Sequence, residues 1–482
     1  MLGTGYQQEV NLDKLYADVA EYDQMVYNPA QLPAVVDNAI RTAYARRGVA
    51  HVTVPNDLQV ADADADPWAH VAPARSPHTA PVMRSAPGRP DDEDLRAIAS
   101  LLEDGSKIAI LAGAGALHAR DEVLELAGVL GAPVVKTLSG KAVIPDDSPY
   151  TTGGIGLLGT RPSEELMEDI DTLFMLGTNF PYTKHLPAAG KARVAQIEAD
   201  PARAGTRVPT DVPVVGDVKL ALQGLLPMLK RRTDTSFLDK YAGAMGKWRD
   251  QMKAQHDAGR DPIAPQFVVA TLDELAADDA VMTCDSGTIA TWAARHWTIR
   301  SDRQFYLSGN LASMAPGLPY AVGIQRAYPG RQVIAYVGDG GFAMLMAEFL
   351  TAIQHNLPVK VVINNNNSLG QILWEQMVLG YPEHGVRYPT PFADFSAFAR
   401  ANGGLGIKVE RPGDVQGALS QALAHDGPAL VDVNVNPDEP PLPGKVEYAQ
   451  AVKFAQAFLR GQPRKATIAT TLFKDKVEQL KA

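Results

Sequence analysis

Two long blocks of the chain repeat one pattern, a short apolar run followed by a stretch whose apolar residues recur at helical spacing. In the first block the runs fall at 107–111, 134–136, 172–176 and 193–197, and in the second at 280–283, 304–307, 332–337, 359–363 and 429–435. Apolar runs this short, bounded by turn residues and separated by helical patterns, predict buried parallel strands. The reading is α/β, with doubly wound parallel-sheet domains. A Rossmann-like middle domain is expected over 91–230 and a further domain over 263–440, joined by a polar helical linker at 231–262.

The ends depart from that pattern. Pro67, Pro73, Pro77, Pro81, Pro87 and Pro90, with an Ala-Asp run, make 63–90 a linker, because proline is excluded from helix interiors and central strands. Ahead of it, residues 1–62 show one helix at 30–46 and one strand at 51–55. A sheet of five or six parallel strands takes about 150 residues, at roughly 30 per βαβ step. The first segment is therefore expected to be the C-terminal part of a truncated domain, roughly a hundred residues short. In the tail, 441–482, Ile468, Ala469, Leu472, Phe473, Val477 and Leu480 share a helical face, and Lys474, Lys476 and Lys481 add positive charge. Such a helix suits either a membrane surface or packing on another subunit.

Composition narrows the class. With 46% hydrophobic and 21% charged residues over 482 positions, the chain is globular rather than disordered. No run approaches the ~20 apolar residues of a membrane span, and the first twenty residues lack a charged-then-apolar leader. A cytoplasmic protein, at most peripheral at the inner face of the membrane, is expected. One cysteine, Cys284, excludes an internal disulfide and a cysteine-cage metal site, so a metal would use oxygen or histidine. The net charge of -10 offers no global basic field for nucleic acid.

Candidate chemistry lies in the second block. The run 332–337 leads into Gly338-Asp339-Gly340-Gly341, an apolar-faced helix over 342–355, the strand 359–363, and Asn364 to Asn367 followed by Ser368. A right-handed crossover puts Asp339 and Asn366 at the carboxyl ends of two parallel strands, facing the crevice where such sheets bind ligands. Glycines there let backbone N–H groups approach an anion closely, which fits a diphosphate. Asp339, Asn366 and the carbonyl of Ser368 would suffice for Mg²⁺, which completes its shell with phosphate oxygens and water. Taken alone, Gly-Asp-Gly is also a common acidic turn that holds no metal.

Gly-Asp-Gly with an asparagine 27 positions after the aspartate resembles the signature of thiamine-diphosphate enzymes. The likeness extends over nearly the whole chain to the pyruvate oxidase group of that superfamily, including its flavin-dependent, quinone-reducing pyruvate dehydrogenases. Gly5 to Glu9 and Leu15 to Val19 resemble the later half of the group's pyrimidine-binding domain. Leu176 to Tyr182, Gln196 to Pro201 and Val215 to Asp217 resemble its flavin domain, and Cys284 to Gly287, Ala312 to Met314 and the diphosphate motif resemble its third domain.

The resemblance implies thiamine diphosphate, Mg²⁺ and FAD. It makes Met314 the apolar side chain that bends the cofactor, with the Ala312 carbonyl and Met314 N–H on the aminopyrimidine and Gly338, Gly340 and Gly341 at the diphosphate. Glu375 becomes the pocket glutamate, where acetolactate synthases carry tryptophan, and Gln8 a polar pocket residue. Ser286 replaces a usual valine and Gln7 a usual aromatic, so the substrate pocket is expected to be more polar. For FAD the positions are Gly113, Gly115, Thr137, Gly177, Asn179, Asp200 and Asp217; a middle domain kept only as scaffold is the alternative.

The implied activity is oxidative decarboxylation of pyruvate or a close 2-oxo acid, with electrons passing to FAD and then to quinone or O₂. A non-oxidative decarboxylase or acetolactate-type carboligase competes with it. So does an inactive fragment, because the family's activating glutamate belongs to a part of the first domain ahead of this sequence, and Glu9 lies in a different matched segment. A homodimer or homotetramer is implied, since a neighbouring subunit normally supplies half of each cofactor site.

Overall fold

A computed structural model describes residues 3–61, 88–389, 392–445 and 448–481, with side chains as far as 477. The linker expected at 63–90 lies outside the described residues except for 88–90. The chain divides into two compact units, 1–87 and 88–482.

In the first unit, β1 (Ala20–Met25) and β2 (Val49–Thr53) pair in parallel, and the helix Leu32–Arg46 connects them. Asn28 and Gln31 form a capping box just ahead of that helix, which satisfies amides that have no partner within a helix. Val26, Val35 and Ala39 form its small buried core. Strand β1 lies outside the sequence expectation, because Ala-Glu-Tyr-Asp-Gln-Met has no apolar run; its Asp23 is in register with His51, and the two side chains meet at 2.7 Å.

The second unit carries two six-stranded sheets, both parallel throughout. The first is built from β3 (Ile108–Ala112), β4 (Val134–Lys136), β5 (Thr151–Gly154), β6 (Thr172–Leu176), β7 (Arg193–Glu198) and β8 (Val212–Val215), in the order β5-β4-β3-β6-β7-β8. The second uses β9 (Val281–Cys284), β10 (Gln304–Tyr306), β11 (Val333–Gly338), β12 (Lys360–Asn365), β13 (Leu405–Val409) and β14 (Ala429–Asn434), in the order β10-β9-β11-β12-β14-β13. Central strands such as β3, β6 and β12 are buried along their whole length, as helices on both faces of a parallel sheet require. The α/β doubly wound reading therefore holds. Three strands escape it, β5, β8 and β13, and all three are sheet edges. An edge strand tolerates polar residues, glycine and proline, as in Thr-Thr-Gly-Gly of β5 and Val-Pro-Val-Val of β8.

In each sheet the chain reverses its direction of travel beside its first strand. The crevices opened by these reversals lie between the carboxyl ends of β3 and β6 and between those of β9 and β11, the places where open α/β sheets bind ligands. The helix expected over 342–355 is two helices, Asp339–Leu345 and Glu348–Gln354, so its first turn begins at Asp339 itself.

The stretch 231–262 holds the helix Ser236–Lys253, with Leu238, Tyr241, Met245, Trp248 and Met252 buried. In the tail, the helix Lys465–Lys481 spends part of its apolar face on its own chain. Ile468 is fully buried and Leu472 packs in the cluster of Leu373, Trp374 and Met377, whereas Phe473 is exposed. Asp475, one turn on from Thr471, is buried against Arg260 at 2.6 Å. The side chains of Leu480 and Lys481 lie outside the described residues. Among the described residues no helix is long and apolar enough to cross a membrane.

Candidate cofactor site

Strands β11 and β12 are neighbours in register, Gly338 opposite Asn364, so Asp339 and the Asn366–Ser368 segment emerge side by side at the carboxyl edge of the sheet, with Asp339 bordering the β9–β11 crevice. Asp339 is 2% exposed, and its Oδ2 has no hydrogen-bond partner. Burial pushes its carboxyl up to about 7, although the amides of Gly340, Asn367 and Ser368 act to hold it down. Ser368 is also buried, and its Oγ too has no partner. The orphaned buried carboxylate oxygen of Asp339, beside the turn that carries Asn366 and the Ser368 carbonyl, leaves a site that a small oxygen-loving cation would satisfy, so this donor set fits Mg²⁺.

The asparagine run sorts itself by partner. Asn364 Nδ2 donates to the Tyr336 hydroxyl at 2.6 Å, Asn365 Nδ2 to Asp432 at 3.0 Å, and Asn367 Nδ2 to the Tyr388 carbonyl at 3.0 Å. Asn366 turns its Oδ1 to the Ser368 amide at 3.1 Å, in a local turn that presents the pair together. Gly370 follows because a β-carbon there would come within 2.7 Å of Asn366 Nδ2.

On the other side of the crevice stands Asp285, the first residue after β9, which the sequence places within the Cys284 to Gly287 stretch and marks with no role of its own. It is 1% exposed; Oδ1 accepts from the Gly317 amide at 2.8 Å, and Oδ2 has no partner. Burial pushes this carboxyl also up to about 7, against the amides of Gly317 and Gly338. An aspartate closing an apolar strand run is the one signal the sequence holds for it. Thr283 Oγ1 donates to the Gly317 carbonyl at 2.7 Å, so β9 grips the end of the 308–317 loop twice.

That loop holds Ala312 and Met314. Ala312 has φ 55° and Ala315 φ 68°, both in the left-handed region that non-glycine residues avoid, and Met314 between them is exposed. Such backbone persists where its surroundings over-determine it, here through Ser308, which accepts from Ala312 N at 3.0 Å and Ser313 N at 3.2 Å. Ser286 is half-buried beside Gly287, whose β-carbon position lies 3.9 Å from Gln371. Glu375 is exposed one turn along the helix Gly370–Val378 and accepts from Gln371 at 2.9 Å. The helix that carries Glu375 thus begins beside the Ser286–Gly287 turn, just after the Asn366–Ser368 segment. Gln8 belongs to the first unit, exposed with φ 66° and next to Glu9, whose carboxylate is held below its usual range by the Gly3 amide first and those of Gly5 and Tyr6.

In the middle sheet, Gly113 and Gly115 follow β3 and Gly177 follows β6, at the switch-point crevice. They meet each other there: Gly115 N donates to Gly177 O at 3.0 Å, and a β-carbon on Gly115 would lie 2.8 Å from the Gly177 Cα. Thr137 Oγ1 accepts from Gly140 N at 3.1 Å, Asn179 Oδ1 from Thr206 at 3.1 Å, Asp200 Oδ1 from Ala202 N at 2.9 Å, and Asp217 Oδ1 caps the helix Val218–Leu225 through Leu220 N at 3.0 Å. A cavity of about 440 Å³, lined by Trp248, His256, Arg295 and His296 among others, is bordered by Thr137 alone of these residues.

Comparison with known proteins agrees with this geometry. Residues 95–225 match the central domain of thiamine pyrophosphate enzymes, and residues 285–433 match their C-terminal TPP-binding domain. The protein "Putative thiamine pyrophosphate-containing protein YdaP" of Bacillus subtilis is 39% identical over 459 residues, 95% of this chain and 78% of its own length. A pyruvate oxidase of Lactiplantibacillus plantarum is 30% identical over 90% of this chain and 71% of its own. A probable acetolactate synthase large subunit of Methanococcus aeolicus is 28% identical over 91% and 75%. The chain belongs to the thiamine pyrophosphate enzyme family.

Proposed function

We propose that the protein catalyses thiamine-diphosphate- and Mg²⁺-dependent oxidative decarboxylation of pyruvate or a close 2-oxo acid, electrons leaving through FAD in the middle domain to quinone or O₂. The observation that carries the cofactor reading is the buried, unpartnered Asp339 Oδ2 at the end of β11, beside the Asn366–Ser368 turn that follows β12. Bound thiamine diphosphate supplies the carbon nucleophile and the electron sink for loss of CO₂. Asp339, Asn366 and Ser368 hold the metal; Gly338, Gly340 and Gly341 leave room for the diphosphate; Ala312 and Met314 receive the aminopyrimidine. Glu375, oriented by Gln371, and Ser286 border the substrate position, with Glu375 the group available to hold or move a proton there.

The oxidative branch is supported by Glu375 and by the pyruvate oxidase among the relatives. The flavin is supported by the glycines at the β3–β6 switch point. An acetolactate synthase-type carboligase is the second reading, favoured by several relatives of that name at 28–31% identity. Pyruvate-dependent reduction of an artificial electron acceptor, measured with added thiamine diphosphate, Mg²⁺ and FAD, tests the choice. Dye reduction with a bound flavin absorbance band is expected. Acetolactate formed from pyruvate without dye reduction would replace the oxidase by the carboligase.

A further inference from the structure

We propose that the Tyr388 hydroxyl is a further ligand of the cofactor site, donating a hydrogen bond to the diphosphate at the Gly338–Gly341 turn. This rests on the thiamine-diphosphate reading and adds a side chain to it. The phenol tip lies against Gly340: a β-carbon there would come within 2.5 Å of the hydroxyl and 3.5 Å of Cζ. Glycine at 340 therefore makes room for Tyr388 as well as for an anion.

The position of the phenol is fixed from both ends. Tyr388 N donates to the Asn367 carbonyl at 3.1 Å, and Asn367 Nδ2 donates back to the Tyr388 carbonyl at 3.0 Å. The preceding residue, Arg387, forms an isolated antiparallel bridge with Ser368. The backbone of Tyr388 is thereby locked to the residue between the two metal-ligand candidates Asn366 and Ser368. Its ring is stacked on Phe392, centroids 4.1 Å apart and planes 10° apart.

Among the described residues the hydroxyl itself has no hydrogen-bond partner, although every other polar group of this residue is engaged. The half-buried phenol tip brings an O–H donor to the Gly338–Gly341 turn, one that solvent serves when no anion is bound there. A diphosphate offers only acceptor oxygens, and hydrogen bonds to charged acceptors are the strong ones.

Tyr388→Phe removes one oxygen and leaves the stacking and both backbone bonds in place. The test is titration of the full chain, wild type and Y388F, with thiamine diphosphate at saturating Mg²⁺, followed by intrinsic tryptophan fluorescence, and a parallel titration with Mg²⁺ and inorganic diphosphate. A dissociation constant raised about tenfold or more is expected for both probes, as loss of a bond to a charged group implies, with the melting temperature of the cofactor-free protein unchanged. Equal affinities in wild type and variant overturn the proposal and leave the thiamine-diphosphate reading intact. Failure of the wild type to bind thiamine diphosphate overturns both.

Discussion

The Oδ2 of Asp285 occupies the space that a β-carbon on Gly341 would fill. The carboxylate is buried between the end of the Met314 loop, through Gly317 N, and the Gly338–Gly341 turn, so neither neighbour can yield without moving the other. Overpacking of this kind costs about 1–3 kcal/mol. Gly341→Ala is expected to lower the melting temperature and weaken thiamine diphosphate binding together. Gly338 is the internal control: a β-carbon there meets nothing within 4 Å, and its φ of -86° suits any residue. Gly338→Ala should change stability by no more than about 0.5 kcal/mol. Thermal unfolding of both variants decides it, and equal destabilisation would refute the assigned contact.

Asp339 links metal binding to stability with opposite signs. Its carboxyl is pushed from 3.8 in the unfolded chain up to about 7 in the folded one. Between those values the folded form holds a proton that the unfolded form has lost, so stability falls as pH rises through that window, with a slope of up to about 1.4 kcal/mol for each pH unit crossed. Asp339→Asn removes the buried charge, so the cofactor-free variant should melt at or above the wild type at a pH of about 8, above that window. Under the proposed function the same substitution also removes the anionic ligand of the metal. Mg²⁺ with thiamine diphosphate should raise the melting temperature of the wild type and leave the variant unmoved. A variant that is less stable without cofactor, yet still stabilised by it, would remove Asp339 from the site.

How much of the molecule is legible in its sequence follows from which residues are constrained by periodicity. Central strands such as β3, β6, β11 and β12 are buried between helical layers and each carries a short apolar run, so their positions can be read closely from the chain. The edges β5, β8 and β13 pair along one side only and carry no such mark. The Asp339–Asn366 pair is legible because a βαβ crossover fixes where both strands end. Tyr388 is not, since it reaches Gly340 from an irregular segment whose placement depends on reciprocal bonds with Asn367. The tail shows the limit of amphipathic patterns: Ile468 and Leu472 of the stripe meet Leu373, Trp374 and Met377 of the same chain, whereas Phe473 of the same stripe stays exposed.

That tail is held by a buried polar group that should make it pH-sensitive. Arg260 donates to Asp475 at 2.6 Å and to Glu439 at 2.9 Å, while Gln266 and Asn436 also donate to Glu439, and Asn436 reaches Thr471 of the tail helix. One guanidinium faces two carboxylates. Burial, then the nearby Asp475 charge, pushes Glu439 up to about 8 from 4.5. As with any raised acid, the folded state keeps its proton between those values, and stability declines as pH climbs through them. Glu439→Gln keeps the acceptor oxygen and cannot ionise. The melting temperature of the variant relative to wild type should therefore rise from about pH 5 to about pH 9. A constant difference across that range would mean that Glu439 does not carry the titration.

Glu375 separates turnover from cofactor binding. It stands on the exposed face of the helix Gly370–Val378, one turn beyond Gln371, which packs near Gly287. Among the described residues nothing ties it to Asp339, Asn366 or Ser368, and its side chain bonds Gln371 at 2.9 Å. Exchange for glutamine preserves size and the option of pairing with Gln371 while removing the ability to accept and return a proton. Positioned general acid–base groups contribute typically about 10²–10⁴-fold. Glu375→Gln is expected to lower kcat by at least about tenfold while leaving the thiamine diphosphate dissociation constant within about twofold, on the Brønsted argument that only the proton-transfer step is lost. Steady-state dye reduction with pyruvate, together with a fluorescence titration of the cofactor, measures the two quantities independently. Unchanged turnover would move the proton-handling group elsewhere, and a parallel loss of cofactor affinity would make Glu375 part of the cofactor's binding surface rather than of the substrate pocket.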